Sequence, residues 1–224
     1  MDRKYDIVCI GMALVDSIIK GFDPEPISAS GYRAVSSTLS VGGEAVNEAM
    51  AAAKLGMKTG ILCALGQDDA GEMILGALEK CGVDTSLVIR GTDHATPVTT
   101  MFVNDDGTRK SITNTAHRHN FHPENYKERF TDTRAIILGS LFRAPFDDPE
   151  IIYEVLKTAK DAGAIVVADT KLPNFRVLGL DDLKAALPLV DYITPNEDEA
   201  KYYTGRVSLR RWRTCFLAMV LRTW

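Results

Sequence analysis

The chain has 224 residues, 46% of them hydrophobic, and a formal net charge of −4. That length and apolar content fit one α/β domain, or most of a larger one, with a sizeable core. The mild acidity gives no reason to expect nucleic acid as a partner, and no apolar run approaches the length that spans a bilayer. The segment Met1 to Asp6 mixes acids and bases and does not read as a signal peptide. The cysteines Cys9, Cys63, Cys81 and Cys215 have neither metal nor C-x-x-C spacing. Cys9 and Cys63 sit in apolar runs, as small buried hydrophobes do, and a reducing cytoplasm fits best.

In chain order, Asp6 to Val15 predicts a buried strand, near-continuous in apolar residues. Lys20 to Ser40 is looser and fits short strands joined by turns. Glu44 to Leu55 predicts a helix stopped by Gly56. Lys58 to Leu65 predicts a second buried strand, Ala70 to Cys81 a helix, and Ser86 to Arg90 a short strand. Thr96 to Thr113 predicts two β runs around Asn104-Asp105-Asp106-Gly107, a hairpin signal that needs its own sheet. Ala135 to Leu141 predicts a third buried strand, and Pro149 to Ala162 an amphipathic helix closed by Gly163. Ala164 to Ala168 predicts a fourth strand, Leu180 to Leu187 a short helix and Tyr192 to Thr194 a short strand. Such alternation argues for an α/β fold, a parallel sheet with helices on both faces. Ligands on such sheets sit at the carboxyl ends of the strands. Asp16, Gly42, Asp169 and Asn196 fall at or just beyond predicted strand ends.

The run V-G-G-E-A-V-N-E-A-M-A-A-A-K-L-G, Val41 to Gly56, brings two glycines to the start of an alanine-rich helix. Glycines let backbone amides approach a ligand, and the helix start offers free N–H groups. Asn47, one turn in, both donates and accepts. That combination suits a polyhydroxylated or anionic small molecule. The same residues also fit a plain strand-to-helix turn with a packed alanine face.

This run resembles the sugar-binding signature of the ribokinase/PfkB carbohydrate kinase family. Three further segments follow the family's order. D-I-V-C-I-G-M-A-L-V-D (Asp6 to Asp16) resembles its first strand, ending in a substrate-binding Asp. A-L-G-Q-D-D-A-G (Ala64 to Gly71) resembles its G-x-D-x-x-G turn, and T-P-N-E-D-E-A (Thr194 to Ala200) its N-x-x-E motif. The resemblance covers residues 4–205. It implies a ribokinase-like three-layer sandwich with a small β lid. The core would be residues 1–16, 38–93 and 116–205, and the lid 17–37 and 94–115. It also implies ATP and Mg²⁺ as cofactors, a small-molecule sugar as substrate and a homodimer through the lid.

By the same resemblance, Asp16, Gly42, Gly43 and Asn47 bind the substrate, with Thr99 and Arg109 reaching it from the lid. Arg109 would suit an acidic substrate such as a sugar acid. Asp169, Lys171 and Asn196 would face nucleotide or phosphate, and Glu199 would help hold Mg²⁺, which takes few carboxylates and keeps several waters. Asp68 and Asp69 read as structural, capping the helix that begins near Ala70. His117, His119 and His122 read as a surface loop rather than a metal site. Near Gly139-Ser140, where sugar-specific relatives carry an acidic residue, this chain has Leu141 and Phe142.

The family takes its catalytic base and anion hole from a G-A-G-D-type motif beyond the N-x-x-E pair. No such motif occurs here, and no G-x-x-x-x-G-K-[ST] loop either. The expectation is a C-terminally truncated, inactive chain. Residues 206–224 hold five arginines and both tryptophans but no Asp, Glu or Lys. The expectation for this aberrant tail is a shifted reading frame rather than a native basic binding arm, because permitted codons can turn Leu209 to Thr223 into an acidic amphipathic helix followed by a Gly-Val turn into a strand. Rival readings are a nucleoside or sugar-acid kinase, or a non-catalytic sugar-binding or regulatory protein. A dinucleotide-binding domain is disfavoured for want of a G-x-G-x-x-G sequence.

Overall fold

The computed structural model describes residues 2–21, 31, 33–114, 121–173 and 176–205. The chain runs β1 (Tyr5–Ile10), β2 (Leu14–Lys20), β3 (Ser36–Gly42), α1 (Glu44–Lys54), β4 (Thr59–Leu62), β5 (Ala64–Gly66) and α2 (Asp69–Lys80). It continues with β6 (Ile89–Gly91), β7 (Val98–Val103), β8 (Arg109–Thr113), β9 (Thr133–Leu141), α3 (Pro149–Asp161), β10 (Ile165–Thr170), β11 (Tyr192–Thr194) and α4 (Glu197–Thr204).

The central sheet has the order β11-β10-β9-β1-β4, and every pair in it is parallel. Side chains alternate across it. Val8 and Ile10 of β1 enter one core with α3 and the phenylalanines Phe121, Phe130, Phe142 and Phe146. Cys9 between them enters the other core, with α1 and α2. Burial on both faces explains the near-continuous apolar strands. The helices match that demand: α1 buries Ala45, Val46, Ala49 and Ala52, and α3 buries Ile152, Val155, Leu156 and Ala159. Each set spans two turns along one stripe.

A second sheet, β3-β2-β7-β8, stands apart from the first. The hairpin β7–β8 turns at Gly107, with φ of 84°, where Gly107 N donates to Asn104 O at 3.0 Å. The strand expected over Asp6–Val15 is in fact two strands. After Ile10 the chain leaves the central sheet, and Leu14 begins to pair with Gly42. The run looks unbroken in sequence because Val15 is again buried, now beneath the second sheet. That sheet therefore takes in residues 14–16 and 38–42, which the sequence places in the core. Lys58–Leu65 likewise divides into β4 and β5, the latter pairing with β6. The helix expected over Leu180–Leu187 is two 3₁₀ turns, Leu180–Leu183 and Leu187–Leu189, with Pro188 in the second. Proline removes a donor and stops α-helical continuation there.

Candidate functional site

Asp16 does not end the first strand, as the sequence suggests. It lies inside β2, with Ser40 on β3 and Thr99 on β7 as its register partners. Thr99 in turn faces Thr113 on β8, and their Oγ1 atoms share a hydrogen bond of 2.8 Å. Ser40, Asp16, Thr99 and Thr113 form one polar rung across one face of the sheet. Thr99 is buried, Asp16 half-buried, and Arg109, on the same face at the far end of β8, exposed. Burial raises the Asp16 carboxyl above its ordinary range. The Glu44 charge adds to that, and the Arg109 guanidinium opposes it.

The two glycines are required by close approach. A Cβ on Gly42 would lie 2.4 Å from Asp16 Oδ2. Gly43 has a φ of +94°, and a Cβ there would lie 2.4 Å from Met12 O. Gly43 is the N-cap of α1, and no side chain caps that helix. The first N–H groups of α1, beside Asp16, thus have no side-chain acceptor. Asn47 is exposed on the same first turn.

Glu44 and Glu48, one turn apart on α1, were not among the residues the sequence pointed to. Ser140 Oγ donates to Glu44 Oε2 at 2.6 Å, and Lys171 Nζ stands 3.1 Å from Glu44 Oε1. Burial works to raise the Glu44 carboxyl, but the Ser140 hydrogen bond and the Lys171 charge outweigh it and hold it below the ordinary range. Glu48 Oε2 is buried and has no hydrogen-bond partner. Burial, with Asp169 and Glu44 nearby, pushes the Glu48 carboxyl up to about 8 despite Lys171. Gly139 makes room for this pair: its Cβ would lie 3.0 Å from Ala45 N and 3.2 Å from Glu48 Oε2. Ser140 and Phe142, at φ of 71° and 78°, occupy the left-handed region. Non-glycine residues hold that conformation only where their surroundings over-determine it. The one sequence signal for this cluster was i, i+4 spacing of two acids around Asn47.

Asp169 and Thr170 close β10, and Lys171 follows them. Thr194 Oγ1 donates to Asp169 Oδ1 at 3.2 Å. Lys171 is held by its backbone, its N–H on Leu141 O at 2.9 Å and its carbonyl accepting from Tyr203 Oη at 2.5 Å. The Tyr203 ring stacks on Phe142, with centroids 4.0 Å apart. The Lys171 ammonium thus points toward α1. Asn196 caps α4 and forms a capping box with Glu199. Glu199 is only 3% exposed. Its Oε1 accepts from Asn196 Nδ2 at 2.7 Å, and its Oε2 from Asn196 N at 3.0 Å and Thr170 Oγ1 at 2.8 Å. A carboxylate has about four acceptor positions, so one remains, on Oε1. Among the described residues no group of three His, Cys, Asp or Glu side chains is arranged to hold a metal ion. One free acceptor on Oε1 is compatible with a Mg²⁺ reached through a water, the way that ion is commonly held.

Asp68 caps α2, as expected, its Oδ1 accepting from Gly71 N at 2.8 Å. His122 is exposed, its Nδ1 3.0 Å from Glu124 Oε1. His117, His119 and residues 206–224 lie outside the described residues. No helix among those described is long and apolar enough to cross a membrane.

A parallel sheet flanked by helices, with a smaller second sheet beside it, is the ribokinase-like α/β fold. The sequence matches the pfkB family carbohydrate kinases over residues 4–210, and the chain belongs to that family. It is 24% identical to the nucleoside kinase of Methanothermobacter thermautotrophicus, across 93% of this chain and 65% of that protein. It is 26% identical to the deoxyribokinase of Salmonella typhi, across 89% of this chain and 63% of that protein. The ribokinase of Arabidopsis thaliana, solved with ribose and ATP, superposes with a TM-score of 0.78 at 23% identity, covering 98% of this chain and 69% of that one. The chain thus spans just under two thirds of the length of these curated relatives.

Proposed function

We propose that this sequence belongs to an ATP-dependent kinase that phosphorylates a hydroxyl of a sugar or sugar-like small molecule. The observation that carries this is the contact of Gly42 with Asp16, where only a glycine leaves the carboxylate room beside an uncapped helix start. In this reading Asp16 accepts hydrogen bonds from two substrate hydroxyls. Gly42, Gly43 and Asn47 bring backbone and amide donors, while Thr99 and Arg109 complete the site from the lid. Asp169 and Asn196 face the nucleotide phosphates, and Glu199 steadies Asn196 and a water-held Mg²⁺. Lys171 has three donors, of which Glu44 takes one; the others meet the transferring phosphoryl group.

Phosphoryl transfer also needs a positioned base and donors for the transferred group. The sequence holds no G-A-G-D-type motif to supply them. The 224-residue chain by itself is therefore proposed to bind substrate without transferring phosphate. The buried free thiols Cys9 and Cys63 support a reducing cytoplasm. Leu39 and Ile112, 63% and 70% exposed, lie on one rung with Ser17 and Thr100, on the sheet face away from Asp16, which supports a homodimer through the lid. Ultracentrifugation of the chain and of Ile112→Lys tests that contact.

The test of function is a panel of D-ribose, D-fructose, 2-deoxy-D-ribose, D-gluconate and adenosine. Each is screened for ligand-induced thermal shift and for ATP-dependent phosphorylation. Binding of a panel member without turnover is the expected result. Turnover by this chain overturns the missing-base argument. Binding of none overturns the substrate-site argument. Preference for adenosine or gluconate selects the nucleoside or sugar-acid reading, toward which the nucleoside kinase relative and Arg109 respectively point.

A further inference from the structure

The two carboxylate oxygens of Asp68 serve two different parts of the protein. Oδ1 caps α2 in the core. Oδ2 accepts from Thr96 N at 2.7 Å, and Thr96 lies just ahead of β7, one of the two inner strands of the lid. Thr96 is 1% exposed, and its Oγ1 accepts from Gly66 N at 2.9 Å. Thr96 is thus clasped on both backbone and side chain by the turn Gly66–Gly71. The glycines of that turn allow the clasp. A Cβ on Gly66 would lie 2.7 Å from His94 O and 2.8 Å from Thr96 N, and one on Gly71 would lie 3.0 Å from Thr96 Oγ1.

The clasp leads directly to the candidate substrate site. The next residue, Pro97, accepts from Val15 N at 2.9 Å. Val15 precedes Asp16, and Thr99, two residues beyond Pro97, is the register partner of Asp16. Asp16 and Thr99 are therefore each within two residues of the one point where the lid's inner strands leave the core. Moving Thr96 moves both, because hydrogen-bonded neighbours in one sheet shift together.

We propose that Asp68 and Thr96 are positioning residues that seat the root of the lid on the core and set where Asp16 and Thr99 stand over the start of α1. The link to substrate rests on the function proposed above; the clasp itself does not. Capping alone does not explain the arrangement, since one oxygen of Asp68 would suffice for it.

The experiment is amide hydrogen exchange on the 224-residue chain and on Thr96→Val, Thr96→Ser and Asp68→Asn. Thr96→Val leaves the α2 cap intact and strands the buried Gly66 N–H. The amides of Val98–Val103 are expected to exchange about tenfold faster in Thr96→Val, while those of α2 and β9 keep their rates. Thr96→Ser is expected to restore the parent rates. Affinity for whichever of D-ribose, D-fructose or adenosine the parent chain binds should fall about fivefold to tenfold with Thr96→Val. Unchanged exchange across β7, or acceleration spread evenly over β1 and β9, overturns the proposal. If Thr96→Val does not fold, Asp68→Asn carries the same test, because the NH₂ that replaces one carboxylate oxygen cannot accept from the N–H of Gly71 or Thr96. If the parent chain binds no panel member, the substrate reading falls, and the β7 exchange rates still decide the clasp.

Discussion

Lys171 Nζ stands 3.1 Å from Glu44 Oε1, and this pair ties the end of β10 to the first residue of α1. It joins what the chain keeps 127 positions apart, with Ser140 on the other Glu44 oxygen. The start of α1 is thereby held to the strand ends where ligands of parallel sheets bind.

Replacing Lys171 by Met removes the charge and keeps the stem. The pair is partly exposed, so the loss in stability at pH 7 is about 1 kcal/mol. The Glu44 carboxyl is held below its ordinary range. Its contribution is therefore full above the ordinary carboxylate value and is lost as pH falls through the folded-state value. The gap between parent and Lys171→Met in urea unfolding should narrow on the acid side. A gap that widens as pH falls rejects this account.

Glu48 titrates in the opposite sense. Unfolded, its carboxyl ionises in the ordinary range; folded, it keeps its proton up to about 8. Between those values the folded state binds more protons, so stability falls as pH rises and levels off above about 8. The groups facing it are Cys9 from β1, Glu44 from its own helix, and Asp169 and Lys171 from β10 and the residue after it. Glu48→Gln should abolish the slope and leave the chain roughly 2–4 kcal/mol more stable than the parent at pH 8.5. Chemical unfolding at pH 5.5, 7 and 8.5 reads this directly. Parallel pH dependences in the two proteins would show that Glu48 is not the group responsible.

Gly42→Ala places a methyl 2.4 Å from Asp16 Oδ2, closer than contact allows. Asp16 must swing away, so Gly42→Ala and Asp16→Asn should both weaken the bound panel sugar by roughly a hundredfold, the worth of one charge-assisted hydrogen bond or two. Isothermal calorimetry measures this, with circular dichroism confirming the fold. Parent-like affinity in Asp16→Asn would remove Asp16 from the site.

Glu199→Ala leaves the buried Thr170 Oγ1 without its acceptor, removes the capping box of the exposed Asn196 and empties a buried site. The expected cost is about 3 kcal/mol. Glu199→Gln keeps the shape but turns an amide donor toward Thr170 Oγ1 or the Asn196 donors, so it costs about 2 kcal/mol. Thermal unfolding distinguishes them. Loss of stability confined to the presence of Mg²⁺ would instead make Glu199 a metal-linked residue first.

Sequence by itself determined most of the elements and their kind, though not where Asp6–Val15 and Lys58–Leu65 divide, nor that Leu180–Leu187 turns as 3₁₀. Apolar runs without alternation marked strands buried on both faces, and the stripes of α1 and α3 marked helices that cover them. Asn104 to Gly107 marked a hairpin, and Gly42-Gly43 marked the start of α1. These signals are local, because backbone period and turn chemistry are set by residues close in the chain. Tertiary structure alone decided that Asp16 belongs to the lid, since an apolar run does not reveal where a strand changes sheets. It alone placed Glu44, Glu48, Ser140 and Lys171 together, and gave Asp68 its second partner in Thr96. Charge, burial and orphaned donors acquire their energies only when distant segments pack, and residues 44, 140 and 171 meet only once β9 and β10 are in register.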